Sequence, residues 1–302
     1  MDIIRTGKDE IIKGMAFNNE IRYFAAYTRD VVEEARAIHD TWPVCTAALG
    51  RTLTAGAMMG TMCKNDTDVL SVIIKGDGPA KGVTVTANAN AEVKGLIYNP
   101  EVDLPINKVG HLDVGGAIGR GYVSVIKDLG MKEPYVGQTQ LISGEIAEDL
   151  TYYFAVSEQV PTSVGLGVLV NKEETVEHAG GFIIQVMPFA SDETITKLED
   201  CLKGISSVTD YFVRGLSPEE MMHEILGDDF SVEERIVPKY LCDCSEDRMR
   251  RALISVGVKD IKEMIEEGKP VTMRCDFCNS EYTFGLDELQ KIVDEAEAIK
   301  KM

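Results

Sequence analysis

The sharpest shortage in this 302-residue sequence is of positive charge: 31 Lys and Arg stand against 50 Asp and Glu, a formal net charge of −19. A chain this acidic repels phosphate backbones, so nucleic acid is not expected as a partner. Long apolar runs are also scarce. The most apolar stretch, Val44 to Gly60, is interrupted by Arg51 and three threonines and falls short of the roughly 20 apolar residues that a membrane span needs. No membrane association is expected. The opening MDIIRTGKDE carries acidic groups and no apolar run, which argues against a secretory signal and for a cytoplasmic protein with reduced thiols. Catalytic signatures are missing as well. Gly115-Gly116-Ala117-Ile118-Gly119-Arg120-Gly121 does not match GxGxxG and reads as a glycine-rich turn, no GxxxxGK[ST] loop exists, and no Ser/His/Asp set stands out. No catalytic residue is assigned, and the chain does not read as an enzyme.

What is present is the composition of a folded protein, 44% hydrophobic and 27% charged, in a chain long enough for two domains. Residues 1–187 read as one α+β domain. Arg29 to His39 places Val31, Val32, Ala35 and Ile38 on one helical face. Val44 to Gly60, apolar nearly all round and rich in small residues, reads as a helix held between layers. Strands are expected at Ile21–Thr28, Val69–Lys75, Val83–Ala87, Glu92–Tyr98, Tyr122–Ile126, Tyr135–Leu141, Val164–Val170 and Gly181–Met187, with one helix near Glu145–Glu158. Antiparallel sheets packed with helices fit this order better than βαβ alternation. Residues 188–238 read as a helical linker with two apolar stripes: Ile195, Leu198, Leu202 and Ile205, then Met221, Met222, Ile225 and Leu226 after the capping box at Ser217. Residues 239–302 form a small C-terminal segment with few large apolar groups, a size at which a metal or another staple is usual.

That segment holds four of the seven cysteines: Cys242-Asp243-Cys244, a CxC pair, and Cys275-Asp276-Phe277-Cys278, a CxxC pair. Two close pairs from separate segments supply the tetrahedron of thiolates that zinc takes in structural sites. His39, His111, His178 and His223 all lie elsewhere, and four thiolates leave no open position for a catalytic water. Arg248, Arg250, Arg251 and Arg274 are close enough in sequence to offset the negative charge of such a site, and thiolates kept ionised are also the ones oxidants attack. Cys45, Cys63 and Cys201 read as small buried or half-buried side chains.

Leu241-Cys242-Asp243-Cys244-Ser245 followed by Arg248, and Arg274-Cys275-Asp276-Phe277-Cys278 followed by Tyr282 and Phe284, resemble the zinc switch of the redox-regulated 33-kDa heat-shock chaperone family (heat shock protein 33). Gly76-Asp77-Gly78-Pro79, Ser157-Glu158-Gln159-Val160-Pro161-Thr162 and Gly180-Gly181 with Gln185-Val186-Met187-Pro188 look like that family's core motifs. The resemblance implies a chaperone core at 1–187, a linker at 188–238 and a redox-switch domain at 239–302. It also implies one Zn2+ per reduced chain on Cys242, Cys244, Cys275 and Cys278. Oxidation would pair Cys242 with Cys244 and Cys275 with Cys278, release zinc and disorder the linker. The output would be an ATP-independent holdase, commonly a homodimer when active, that binds unfolding clients under oxidative stress and passes them to a DnaK-type foldase.

Two readings of the cysteines compete with this one. A thiol-disulfide oxidoreductase would place its CxxC between a strand and a helix in a βαβ setting, whereas the residues after Cys278 read as a turn and short strand. A zinc-ribbon nucleic-acid module usually carries two CxxC pairs and a basic surface. Here one pair is CxC, and residues 239–302 hold 11 Lys and Arg against 14 Asp and Glu, a net of −3.

Overall fold

The eighteen residues Pro43–Gly60 explain most of the larger part of the molecule. They form a helix in which every residue but Pro43 and Arg51 is buried, because two sheets press on it from opposite sides. Its small residues set the spacing: a Cβ on Gly50 would meet Val32 and Val168, and one on Gly56 would meet Val85. The hydroxyls of Thr52 and Thr54 bond back to Ala48 O and Gly50 O, each at 2.8 Å, so these threonines can be buried with their hydroxyls satisfied.

The computed structural model describes residues 8–108 and 110–301, with side chains described through 298; the opening stretch read for a secretory signal begins outside them. In chain order the first unit comprises β1 (Glu10–Ala16), β2 (Ile21–Tyr27), α1 (Arg29–His39), α2 (Pro43–Gly60), β3 (Val69–Gly76), β4 (Gly82–Asn88), β5 (Glu92–Ile97), α3 (Val114–Ile118), β6 (Gly121–Asp128) and β7 (Tyr135–Gln140). Then come α4 (Ala147–Tyr153) running into a π-helical turn (Phe154–Glu158), β8 (Thr162–Val170), β9 (Val176–Val186), α5 (Asp192–Leu202), α6 (Thr209–Val213), α7 (Pro218–Leu226), β10 (Phe230–Ile236) and β11 (Lys239–Tyr240). One sheet has the order β10-β1-β2-β9-β8 and is antiparallel throughout. The other runs β11-β5-β4-β3-β6-β7 and is antiparallel except where β11 joins β5. The fold is therefore α+β, with antiparallel sheets packed with helices.

The five-stranded sheet is buried on both faces. Ile11, Phe24, Ala26 and Ile183 join the cluster around α2, whereas Ile12, Tyr23, Ala25 and Ile184, one position out of phase, join a second cluster. That second cluster is where the stripes of residues 188–238 go. Leu198, Met221, Met222, Ile225 and Leu226 are buried in it, with Leu202 and Ile205 half-buried beside them. The capping box forms as its sequence predicts: Ser217 Oγ accepts from Glu220 N at 3.2 Å, and Ser217 N donates to Glu220 Oε2 at 2.7 Å.

Residues 188–238 thus hold three helices, and they also supply β10, a strand the apolar pattern does not announce. Its Glu233, Glu234 and Arg235 face water along a sheet edge, where charge is expected. β1 is equally quiet in sequence, since Lys13 and Gly14 break its alternation; a Cβ on Gly14 would strike Ser231 O. The motif Gly76-Asp77-Gly78-Pro79 and the glycine-rich turn lock together: Asp77 N donates to Arg120 O and Gly78 N to Ile118 O, both at 2.9 Å, and Arg120 N returns a bond to Asp77 Oδ1 at 2.7 Å. Residues 115–118, expected as part of a turn, belong to the short helix α3, and its end with Gly119-Arg120 forms a structural latch between β3 and β6.

The chain divides into two compact units between Leu241 and Cys242. The second unit contains α8 (Glu246–Val256), α9 (Val258–Glu266), β12 (Val271–Arg274), β13 (Glu281–Phe284) and α10 (Leu286–Lys301). Its core is small: Leu253, Ile261, Phe284, Leu289, Ile292 and Val293 are the buried apolar side chains of its cluster. Among the described residues no helix is long and apolar enough to cross a membrane.

Asp9 offers a test of the packing around α1. Its carboxylate accepts from Asp30 N at 3.0 Å and Val31 N at 2.9 Å, capping a helix whose N-cap, Thr28, makes no side-chain cap bond. Burial nonetheless pushes its pKa from 3.8 up to about 6, against the pull of those two bonds. The folded state then holds the proton over a range in which the unfolded chain has lost it, so this group's stabilisation declines as pH rises from about 4 to about 6. Asp9→Asn lacks that decline. Its stability relative to the parent protein, from urea unfolding, should therefore improve across this window; a difference independent of pH would contradict the assignment.

Candidate metal centre

Each cysteine pair is presented by a short local motif. Cys242 and Cys244 lie on the extended run into α8, whose N-cap Ser245 accepts from Arg248 N at 3.3 Å. Arg248 turns back, donating to Asp243 O at 3.1 Å and pairing with the Asp243 carboxylate, which fixes the residue between the two sulfurs. Cys275 and Cys278 form the tip of the hairpin between β12 and β13. Asn279 N donates to Cys275 O at 2.8 Å and Cys275 N to Ser280 O at 2.9 Å, with Asn279 at φ 59° to close the turn. The strand pairs beneath it, Met273 with Tyr282 and Val271 with Phe284, tie the tip to the small core.

These motifs bring the four sulfurs together, all within 4.8 Å of one another. Cys242 Sγ lies 3.6 Å from Cys275 Sγ, and Cys244 Sγ 3.3 Å from Cys278 Sγ. A tetrahedral zinc–thiolate site, with bonds of about 2.3 Å, has sulfur–sulfur edges of about 3.8 Å, so the donor set fits zinc in number, chemistry and spacing. Cys275 is buried and the other three half-buried.

The protonation pattern also suits a soft cation. Burial pushes the thiols of Cys242 and Cys275 up. At Cys278 burial acts in the same direction but is outweighed by the hydroxyl and amide of Ser280 and by the neighbouring thiols, which bring it down to about 6. Metal binding to such a set displaces whatever protons the sulfurs hold.

The arginines take a different part from the one their positions suggested. Arg248 is engaged by Asp243, and Arg250 donates to Glu295 Oε1 at 2.5 Å, while Arg251 and Arg274 are exposed. Hydroxyls reach the sulfurs instead: Tyr282 OH lies 3.1 Å from Cys244 Sγ and Ser280 Oγ 3.2 Å from Cys278 Sγ. Spacing alone did not reveal either contact, because the hairpin turn and strand register create them. Cys45, Cys63 and Cys201 stand apart from the cluster. Burial raises the first two thiols, Cys45 to about 11, and Cys201 packs beside the second apolar cluster of the first unit.

The geometry also weighs on the competing readings. The CxxC occupies a hairpin tip rather than a strand–helix junction, and only one of the two pairs is a CxxC knuckle.

A two-unit α+β chain whose C-terminal unit gathers four cysteines that could hold a metal defines the class. The family model described as Hsp33 protein matches residues 9–285. The chain is 52% identical over 286 residues to a 33 kDa chaperonin of Lachnoclostridium phytofermentans, covering 94% of this chain and 98% of that one. It is 49% identical over 292 residues to a 33 kDa chaperonin of Clostridium perfringens, covering 96% and 92%. A solved structure of the 33 kDa chaperonin (heat shock protein 33 homolog) from Thermotoga maritima superposes with a TM-score of 0.89 at 35% identity, over 97% of this chain and 100% of that one. The chain belongs to the Hsp33 family of chaperones.

If the four sulfurs act as one ligand set, replacing any of them should be severe. Cys242→Ser should cost more zinc affinity than the 10–100-fold typical of losing an outer-shell partner, read by competition with a chromogenic chelator. Unchanged affinity would remove Cys242 from the set.

Proposed function

We propose that this protein is an ATP-independent holdase of the cytoplasm, switched on when oxidation destroys the cysteine ligand set of its C-terminal unit. The observation that carries the reading is the convergence of Cys242, Cys244, Cys275 and Cys278, all Sγ within 4.8 Å, in a unit whose own apolar core is very small. Zinc, when bound, supplies a positive centre that keeps the four sulfurs ionised and ties the two cysteine segments together. In small zinc peptides such binding is worth about 10–16 kcal/mol at neutral pH, as much as the whole stability of about 5–15 kcal/mol of a typical domain.

A hydroperoxide would act on this set as a two-electron oxidant. One thiolate attacks the peroxide, the O–O bond breaks, and a sulfenic acid forms with release of water or an alcohol. A second thiolate displaces the hydroxyl as water, leaving a disulfide. Two peroxides and four protons thus convert four thiolates into two disulfides, Cys242–Cys244 and Cys275–Cys278. The short closest approaches run between the pairs; pairing within each segment is favoured because those cysteines stay close when the unit opens. With no thiolates left, the C-terminal unit loses what orders it.

The segment at 188–238 leads through β11 to Leu241, next to the first ligand, and loosens with it in this reading. Of its stripes, Leu198, Met221, Met222, Ile225 and Leu226 are buried in the second cluster and Leu202 half-buried beside it, with Ile195 half-buried outside it; all become client surface when freed. The clients are unfolding proteins under oxidative stress, the active form is a homodimer, and clients pass on to a DnaK-type foldase.

Peroxide with mild heat should release one zinc per chain and, in parallel, switch on suppression of aggregation of a thermally unfolding client. Complete zinc release without any gain in suppression would sink the switch.

A further inference from the structure

Two hydroxyls touch the sulfur cluster, and they touch different sulfurs. Tyr282 sits on β13, two residues before Phe284, so both side chains point to the same face of the hairpin. Phe284 is buried in the core of the C-terminal unit, and the Tyr282 ring packs against that core. The tyrosine hydroxyl extends past the apolar cluster to Cys244 Sγ, 3.1 Å away. Ser280, at the start of the same strand side of the turn, puts its Oγ 3.2 Å from Cys278 Sγ, accepting from the thiol and free to turn donor once that sulfur is ionised, while its carbonyl accepts from Cys275 N at 2.9 Å. Cys244 Sγ and Cys278 Sγ themselves lie 3.3 Å apart. Among the described residues, side-chain hydroxyl contacts are found at these two sulfurs and not at Cys242 or Cys275.

We propose that the hydroxyls of Tyr282 and Ser280 donate hydrogen bonds to the thiolates of Cys244 and Cys278 and thereby restrain the reaction of these two sulfurs with hydroperoxides. A thiolate attacks peroxide through its sulfur lone pairs. A hydroxyl that donates to one of those pairs stabilises the thiolate ground state and is weakened as negative charge leaves sulfur for the peroxide oxygen. The balance is unchanged: sulfur gives two electrons, the O–O bond breaks, and the departing oxygen takes up a proton. The hydroxyls alter only the barrier. Tyr282 and Ser280 are therefore tuning residues that act through the ligands, and they divide the four sulfurs into a pair contacted by side-chain hydroxyls and a pair, Cys242 and Cys275, reached by backbone amides without a hydroxyl.

The size of the effect follows from two magnitudes. A hydrogen bond to a charged group is worth at least about tenfold in an equilibrium, and about half of such a difference appears in thiolate attack rates. Removing one hydroxyl should accordingly speed oxidation of its own cysteine by about three- to tenfold.

This inference rests on the thiolate site proposed above, though not on holdase activity. Tyr282→Phe keeps the ring on the core and removes only the hydroxyl; Ser280→Ala does the same at the turn. Full-length, zinc-loaded proteins would be exposed to hydrogen peroxide, quenched by alkylation, and the surviving thiols counted cysteine by cysteine from fragment ions. Y282F should accelerate loss of Cys244 relative to Cys275, and S280A loss of Cys278 relative to Cys242, with one zinc per chain still bound beforehand. If Y282F fails to load zinc, the S280A comparison decides the matter alone. Equal acceleration at all four cysteines indicates a merely structural role and overturns the inference, as does an unchanged rate at the cysteine each hydroxyl contacts. A selective change without any gain in client protection would uphold the tuning while refuting the chaperone switch.

Discussion

The C-terminal unit gathers four sulfur atoms within 4.8 Å of one another, although each, as a thiolate, would repel the others, and the proposed function depends on what holds them together. Nothing else in that unit has comparable weight, because its core gathers six buried apolar side chains for a unit of about sixty residues. In the proposed function a soft divalent cation would resolve the repulsion and link the run into α8 with the tip of the β12–β13 hairpin. The same arrangement makes the unit fragile in one specific way. On the proposed function the atoms that hold it are also readily oxidised, so the chemistry that removed the ligands would also remove the fold.

The first unit is built on opposite terms. Its stability comes from layers: a helix buried all round between two sheets, and a five-stranded sheet covered on both faces. Its cysteines at 45 and 63 are kept protonated by burial, which removes the thiolate that oxidants require. Its cysteines thus differ in setting from the four that converge in the C-terminal unit. The chaperone family to which the chain belongs gives that contrast its purpose.

Much of this could be read from sequence, for reasons that differ by element. The buried helix was legible because a run of small and apolar residues without a polar face has few other uses. The four ligands were legible because metal coordination fixes residue type and close spacing together. The stripes at 195–205 and 221–226 were recognised as helical from their period. What stayed hidden depends on tertiary register. β10 is a charged edge strand whose partner, β1, lies more than 200 residues away, and no local pattern reports such a pairing. Arg248 was expected near the sulfurs but is held by Asp243, the residue between two ligands, because i to i+5 geometry at the start of α8 brings them together. Tyr282 belongs to the motif in sequence, yet its contact with Cys244 arises only once the hairpin folds back on the CxC segment.

The central claim is that the thiolate cluster holds the C-terminal unit in its fold while the first unit stands without it. Native-state hydrogen exchange of the reduced protein, with and without a zinc chelator, addresses this directly. Amides around Leu253, Phe284 and Ile292 should lose nearly all protection when the metal is withdrawn, whereas those of β2, β9 and α2 should keep theirs. Protection around Leu253 and Ile292 that survives removal of the metal would contradict the account.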